Sequence, residues 1–190
     1  MATWNQTKKQ LQLNLIKPII FTLLVLFFSC TSNENPTNKD KPTIAKESNS
    51  KDQKLYNLIR EKDSLLFQIG FNKIDTLQVE NLISTDFEFY HDEHGVTESK
   101  SDFVNQIESI RALPFKTWRT LVEMEVFPLY QNNSEELYGA IQNGVHDFYQ
   151  QKDGEKAVKT NTAKFAHLWI IENGDWKLKR VLSFDHQVPE

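Results

Sequence analysis

Apolar residues recur at three- and four-residue steps through Leu55, Leu58, Ile59, Leu65, Leu66 and Ile69, which predicts an amphipathic helix whose stripe faces a core. Ser50 or Asp52 is placed to cap it. Gly70 and Asn72 loosen the chain, and Asp75 followed by Gln78 has the form of a capping box opening a short helix through Ile83. The pattern then switches to alternation over Asp86–His91, with Phe87, Phe89 and His91 on one face and acids on the other, as in a half-buried strand. His94-Gly95 marks a turn. Ser99 or Ser101 can cap a third helix that carries Phe103, Val104, Ile107 and Ile110.

Everything after Pro114 reads as sheet. Trp118, Thr120, Val122, Met124 and Val126 alternate with Arg119, Glu123 and Glu125, which places the second set, Arg119 included, on the wet face. Three more long strands follow, from about Leu137 to Gln150, Thr160 to Ile171 and Trp176 to His186. Asn173-Gly174 and Asp153-Gly154 are dipeptides favoured in two-residue hairpin turns, where both central positions need positive φ. Counting outward from Asn173-Gly174 pairs Glu172 with Asp175, Trp169 with Leu178, His167 with Arg180, Phe165 with Leu182 and Asn161 with His186. The same count from Asp153-Gly154 sets Tyr138 beside Trp169, Ala140 beside His167 and His146 beside Asn161. One sheet face then combines aromatic and aliphatic residues with His146, His167, Arg180 and His186, a mixture that an ordinary core avoids and a cavity with a few polar fixtures contains.

Ahead of this domain, Lys8, Lys9 and Lys17 precede an apolar run over Pro18–Ser29 that is shorter than the roughly 20 residues of a bilayer span. The sole cysteine, Cys30, follows directly. Residues 1–29 thus read as a signal peptide, and residues 30–53, poor in large apolar side chains, as a flexible tether to a domain over residues 54–190. The leader resembles a bacterial lipoprotein signal, with the small Ser29 before the cysteine; the family's usual aliphatic three positions earlier is Phe27 here. That resemblance implies acylation of Cys30 and a lipid-anchored place in the cell envelope, on the periplasmic or outer-membrane face, with the bilayer as partner. The leader holds three of the 22 basic side chains and none of the 26 acidic ones, leaving 19 against 26 and a formal net charge of −7. Such a domain is repelled by phosphate backbones, so no nucleic-acid partner is expected.

Helix, helix, strand, helix and a run of long antiparallel strands predict an α+β fold, a curved antiparallel sheet wrapped around N-terminal helices. The segments Asp86-Phe87-Glu88-Phe89-Tyr90-His91-Asp92, Gly144-Val145-His146-Asp147-Phe148, Lys164-Phe165-Ala166-His167-Leu168-Trp169 and Trp176 through His186 resemble the nuclear transport factor 2-like superfamily, the cone fold of ketosteroid isomerase-like and SnoaL-like proteins. The resemblance covers about Lys54 to Gln187 and implies a pocket between sheet and helices, lined by His146, His167, Arg180 and His186 with His91 at its edge. An unknown small molecule is the expected occupant, and no cofactor. The Asp base and acid hydrogen-bond donors of ketosteroid isomerase have no residue-by-residue match. His146 and His186, with His91 or His167, are the imidazoles nearest to a metal-ligand set; without a Cys pair or a His-Glu-x-x-His helix, no metal is assigned. His94 reads as an exposed turn residue. Three functions remain open: a non-catalytic binding lipoprotein, a small acid–base enzyme (isomerase, dehydratase or hydrolase) using the pocket histidines, and an interaction module forming a sheet-to-sheet homodimer.

Overall fold

The computed structural model describes residues 43–189, which belong to one compact unit; the expected leader, Cys30 and the first part of the expected tether lie outside the described residues. Helix α1 spans Thr43–Ser64 and so begins inside the segment expected to be a tether. Once the apolar stripe from Leu55 docks, adding turns to an existing helix is far easier than nucleating one, and Ala45, Lys46 and Glu47 are good helix formers. A wider helical turn over Leu65–Phe71 continues α1, closed by Asn72 N–H donating to Phe67 O at 2.8 Å. Such turns insert an extra residue and rotate the side chains beyond them. Helix α2 covers Thr76–Leu82, with Asp75 accepting from Gln78 N–H as the capping box predicts. Strands β1 (Ile83–His91) and β2 (Gly95–Thr97) form a short hairpin, and Ser99 caps α3 (Lys100–Ser109).

Four long strands complete the chain: β3 (Lys116–Tyr130), β4 (Leu137–Gln151), β5 (Val158–Glu172) and β6 (Asp175–Gln187). The six-stranded sheet runs in the order β2-β1-β6-β5-β4-β3. All neighbours are antiparallel except β1 and β6, which run parallel, so the expected purely antiparallel sheet holds everywhere but at that pair. The helices lie on the inner face, where Ile59, Phe87, Trp169 and Leu178 are completely buried. Each such side chain contributes about 1.5–3 kcal/mol of burial free energy.

The last hairpin starts as counted: Glu172 faces Asp175 and Trp169 faces Leu178. Beyond that, β6 carries an extra residue, since Leu168 pairs with Arg180 and His167 with Val181. The bulge at Lys179 reverses which residues face inward, because side chains alternate along a strand. Val181 and Ser183 therefore turn into the core, while Leu182 and Phe184 stand 43 % and 40 % exposed. The expected pairs of His167 with Arg180, Phe165 with Leu182 and Asn161 with His186 do not form. A second irregularity near the end of β6, where Asp185 has φ of +58°, returns His186 to the inner side.

The Asp153-Gly154 loop is wider than two residues, with the last pair at Gln150 and Val158. It shifts β4 by one position from the count, and an extra residue in β5, Thr160, between the pairs Tyr149–Lys159 and Phe148–Asn161, adds a second, to Ala140 opposite Trp169, Gln142 opposite His167 and His146 opposite Ala163. An even shift preserves the face, so His146 still points inward. In β3 the extra residue is Val122, between the pairs Leu121–His146 and Glu123–Val145. Met124 and Val126 face inward as expected, but before the bulge the inward set is Arg119 and Leu121, so Arg119 is fully buried and not on the wet face.

Candidate functional site

The inner sheet face and the wide turn after α1 enclose a cavity of about 230 Å³. Phe67, Phe71, Phe89, Phe103, Leu178 and Val181 supply most of its wall, and His91, Gln106, His146, His167 and Ser183 its polar groups. Of the expected pocket residues, His91, His146 and His167 line it. His186 stands one layer back, behind Ser183. Arg180 is not in the pocket: the Lys179 bulge turns it to the outer face, where it pairs with Glu88 at 2.9 Å and donates to Asp86 O. This also resolves the cost of an inward Arg without an anion.

A charged network invisible to strand alternation supports the cavity. Asp63, on the apolar stripe of α1 between Ile59 and Leu66, forms an ion pair with Arg119 Nη1 at 2.7 Å, both side chains at most 4 % exposed. Asn72 holds the Arg119 backbone like a paired strand residue, accepting from its N–H at 2.8 Å and donating to its C=O at 3.0 Å. The guanidinium lies 3.9 Å over the Phe67 ring and donates through Nε to His146 Nδ1 at 3.1 Å. Breaking such a buried pair from one side costs about 3–5 kcal/mol, because the other charge is stranded. The signal for Asp63 was present in the sequence: a carboxylate on a helix stripe that is otherwise apolar.

Donor and acceptor chemistry fixes the proton positions. Asp63 Oδ1 accepts from Gln142 Nε2 at 3.0 Å, which leaves Gln142 Oε1 to accept from Trp169 Nε1 at 2.8 Å and from His167 Nδ1 at 3.1 Å. His167 therefore carries its proton on Nδ1, and its Nε2 is a bare lone pair with no partner among the described residues. Burial, reinforced by the Arg119 charge, holds the His167 pKa well below the ordinary imidazole value, so the ring stays neutral. His146 is likewise pushed down to about 3, first by burial and then by Arg119. Since Arg119 only donates, His146 is bare on Nδ1 and protonated on Nε2, 3.5 Å from Ser183 Oγ.

At the rim, His186 Nδ1 meets Asp92 Oδ1 at 2.6 Å and its Nε2 lies 3.3 Å from Ser183 Oγ. The His91 and His186 rings stack at 4.3 Å with planes 13° apart. The His91 pKa is lowered, chiefly by burial and then by His186 and His94. His91, Asp92 and His186 bring donor atoms within 4.8 Å of one another, as do His91, Glu93 and His94. Nearly parallel stacked rings share no point in both ring planes, so His91 and His186 cannot together ligate one ion as they stand. The His91 and His94 rings stand 76° apart at an exposed turn, where His91 Nδ1 accepts from the Glu93 backbone N–H at 3.1 Å.

No family model matches the chain, and no curated protein matches it. Solved structures do. A nuclear transport factor 2-like superfamily protein from Salmonella enterica serovar Typhimurium superposes with a TM-score of 0.55 at 16% identity, over 73% of this chain and 93% of that one. An NTF2-like protein with a cystatin-like fold from Novosphingobium aromaticivorans gives 0.57 at 12% identity, over 78% and 90%. ActVI-ORFA from Streptomyces coelicolor gives 0.57 at 10% identity, over 70% and 97%. With helices cradled by a curved, unclosed sheet of six strands, these likenesses identify the fold as the cone fold of the nuclear transport factor 2-like proteins.

Proposed function

We propose that the domain binds a small, uncharged, largely apolar molecule in the cone, and that acylated Cys30 holds it at the cell-envelope membrane. One observation carries the binding reading: His167, whose buried Nε2 has no partner among the described residues, lines an apolar cavity. Leaving a buried polar atom unpaired costs about 1–3 kcal/mol, a cost that a ligand hydroxyl or N–H removes by donating to it. Because His146 and His167 are both held neutral, the cavity offers no counter-charge to an anion. The volume exceeds the roughly 150 Å³ that accommodates benzene, which suits a substituted single ring. Neither buried histidine is protonated near neutral pH, so neither serves as a general acid there.

The test compares 4-methylphenol with toluene, which differ in one hydroxyl donor. Calorimetric titration of the wild type is expected to favour 4-methylphenol by about 3- to 10-fold, the worth of one hydrogen bond. His167→Phe should bind the two alike, while Gln142 Oε1 keeps its bond from Trp169. A wild type that binds both equally, or a preference that survives in His167→Phe, would overturn the reading.

A further inference from the structure

We propose that Ser183 is a nucleophile, with His186 as its base, that takes the acyl group of a small uncharged carboxylic ester held in the cone. This rests on the cavity described above and adds chemistry to it. Ser183 lines the cavity, 5 % exposed, and its Oγ lies between two imidazole Nε2 atoms, 3.5 Å from that of His146 and 3.3 Å from that of His186. The directions of these bonds follow from their far ends. Arg119 donates to His146 Nδ1, so His146 presents N–H to Oγ. Asp92 accepts from the N–H at His186 Nδ1, so the imidazole lone pair is on Nε2, facing Oγ. The hydroxyl consequently donates to His186, in a Ser–His–Asp order of atoms recognised by geometry and not by chain position.

The backbone is shaped to bring this about. In a regular strand residues three apart, such as Ser183 and His186, point to opposite faces. The left-handed Asp185 between them, at φ of +58°, puts both on the inner side. Strained residues of this kind cluster at functional sites. His91 stacks on the His186 ring, and Asp92 also accepts from the His186 backbone N–H at 3.4 Å, which fixes the imidazole from a second direction.

In the reaction, Ser183 Oγ bonds to the ester carbonyl carbon while its proton passes to His186 Nε2. The carbonyl oxygen takes the electron pair and becomes an oxyanion, next to the N–H of neutral His146. Collapse breaks the carbon–alkoxy bond, and the leaving alcohol takes the proton from His186. Water then attacks the acyl-serine by the same route, releasing a carboxylic acid and restoring Ser183 and His186. Asp92 is a positioning residue that keeps the productive tautomer of His186.

The probe is 4-nitrophenyl acetate on the full-length chain, read as release of 4-nitrophenolate and by peptide mass mapping of the acetyl group. The expected result is acetyl on Ser183, absent in Ser183→Ala. His186→Gln and Asp92→Asn should slow acetylation by about 10²- to 10⁴-fold, and Asp92→Glu should restore part of it. Thermal melts and 4-methylphenol titration of each variant report folding and cavity. Acetyl confined to lysines, no acetyl on Ser183, or a rate that His186→Gln leaves unchanged would each overturn the proposal. If acetylation fails while 4-methylphenol still binds, only the nucleophile falls; if both fail, the cavity reading falls with it.

Discussion

At the scale of single residues, the buried histidines tie the site to stability. His146 has a pKa of about 3 in the folded protein against an ordinary 6.5, and His167 is displaced in the same direction, both primarily by burial. Below 6.5 the unfolded chain takes up protons that the folded one refuses until about pH 3. Protons bound in the unfolded state exceed those in the folded state across that window, so stability rises with pH and is lost on acidification. The slope approaches about 1.4 kcal/mol per pH unit for each histidine well below pH 6.5. The carboxylates with lowered pKa, Asp86, Asp92, Asp147 and Asp185, titrate below their ordinary 3.8 and leave the range above pH 4 to the histidines. Urea unfolding near pH 7.5 and pH 5 should therefore show the lower midpoint at pH 5. His146→Gln, whose carbonyl still accepts from Arg119, should reduce the difference. Equal midpoints at the two pH values would contradict the neutral, buried assignment.

At the scale of elements, the strands and the first pairings of the last hairpin could be read from the chain, and the facing of individual residues only as far as the first bulge. The Asn173-Gly174 turn sets Trp169 against Leu178 because turn geometry is local. Arg180 and Arg119 were then assigned to the wrong faces for one reason: an extra residue at Lys179 and another at Val122 reverse the alternation. Those bulges arise where the sheet bends around the helices, a demand of the whole fold that no local pattern announces. His146 and His167 face inward as counted because the total β4 shift is even and the Lys179 bulge lies in β6, not in β5. Gly144 marks the same bend: a Cβ there would lie 2.3 Å from Glu123 O, against the bulged part of β3. The left-handed Asp185 offers a test. Its ion pair with Lys164 at 2.8 Å is exposed and adds little. Asp185→Gly, which relieves the positive φ while losing that pair, should leave stability within about 0.5 kcal/mol. Asp185→Val should lower it by about 1–2 kcal/mol, since a β-branched residue resists φ of +58°. Chemical denaturation of the two variants checks this; equal effects would mean that the bulge is not what sets Asp185's cost.

At the scale of the whole molecule, the proposed membrane attachment requires something other than the cone's own surface. No described helix is long and apolar enough to cross a bilayer, and the chain beyond residue 29 carries a formal net charge of −7, which anionic lipid repels. That leaves Cys30 as the attachment point in the lipoprotein reading. In that reading an extended chain from Cys30 to Thr43 would reach at most about 45 Å, enough to let an anchored domain stand clear of the head groups. Acyl chains add roughly 0.8 kcal/mol for each buried CH₂, so several chains on one cysteine would anchor the protein where a single one binds only reversibly. Cys30→Ser should abolish incorporation of labelled palmitate and move the protein out of the membrane fraction, while the melting temperature of the domain stays unchanged because Cys30 lies ahead of its first helix. Labelling that persists in Cys30→Ser, or a wild type that takes up no label, would overturn Cys30 as the anchor.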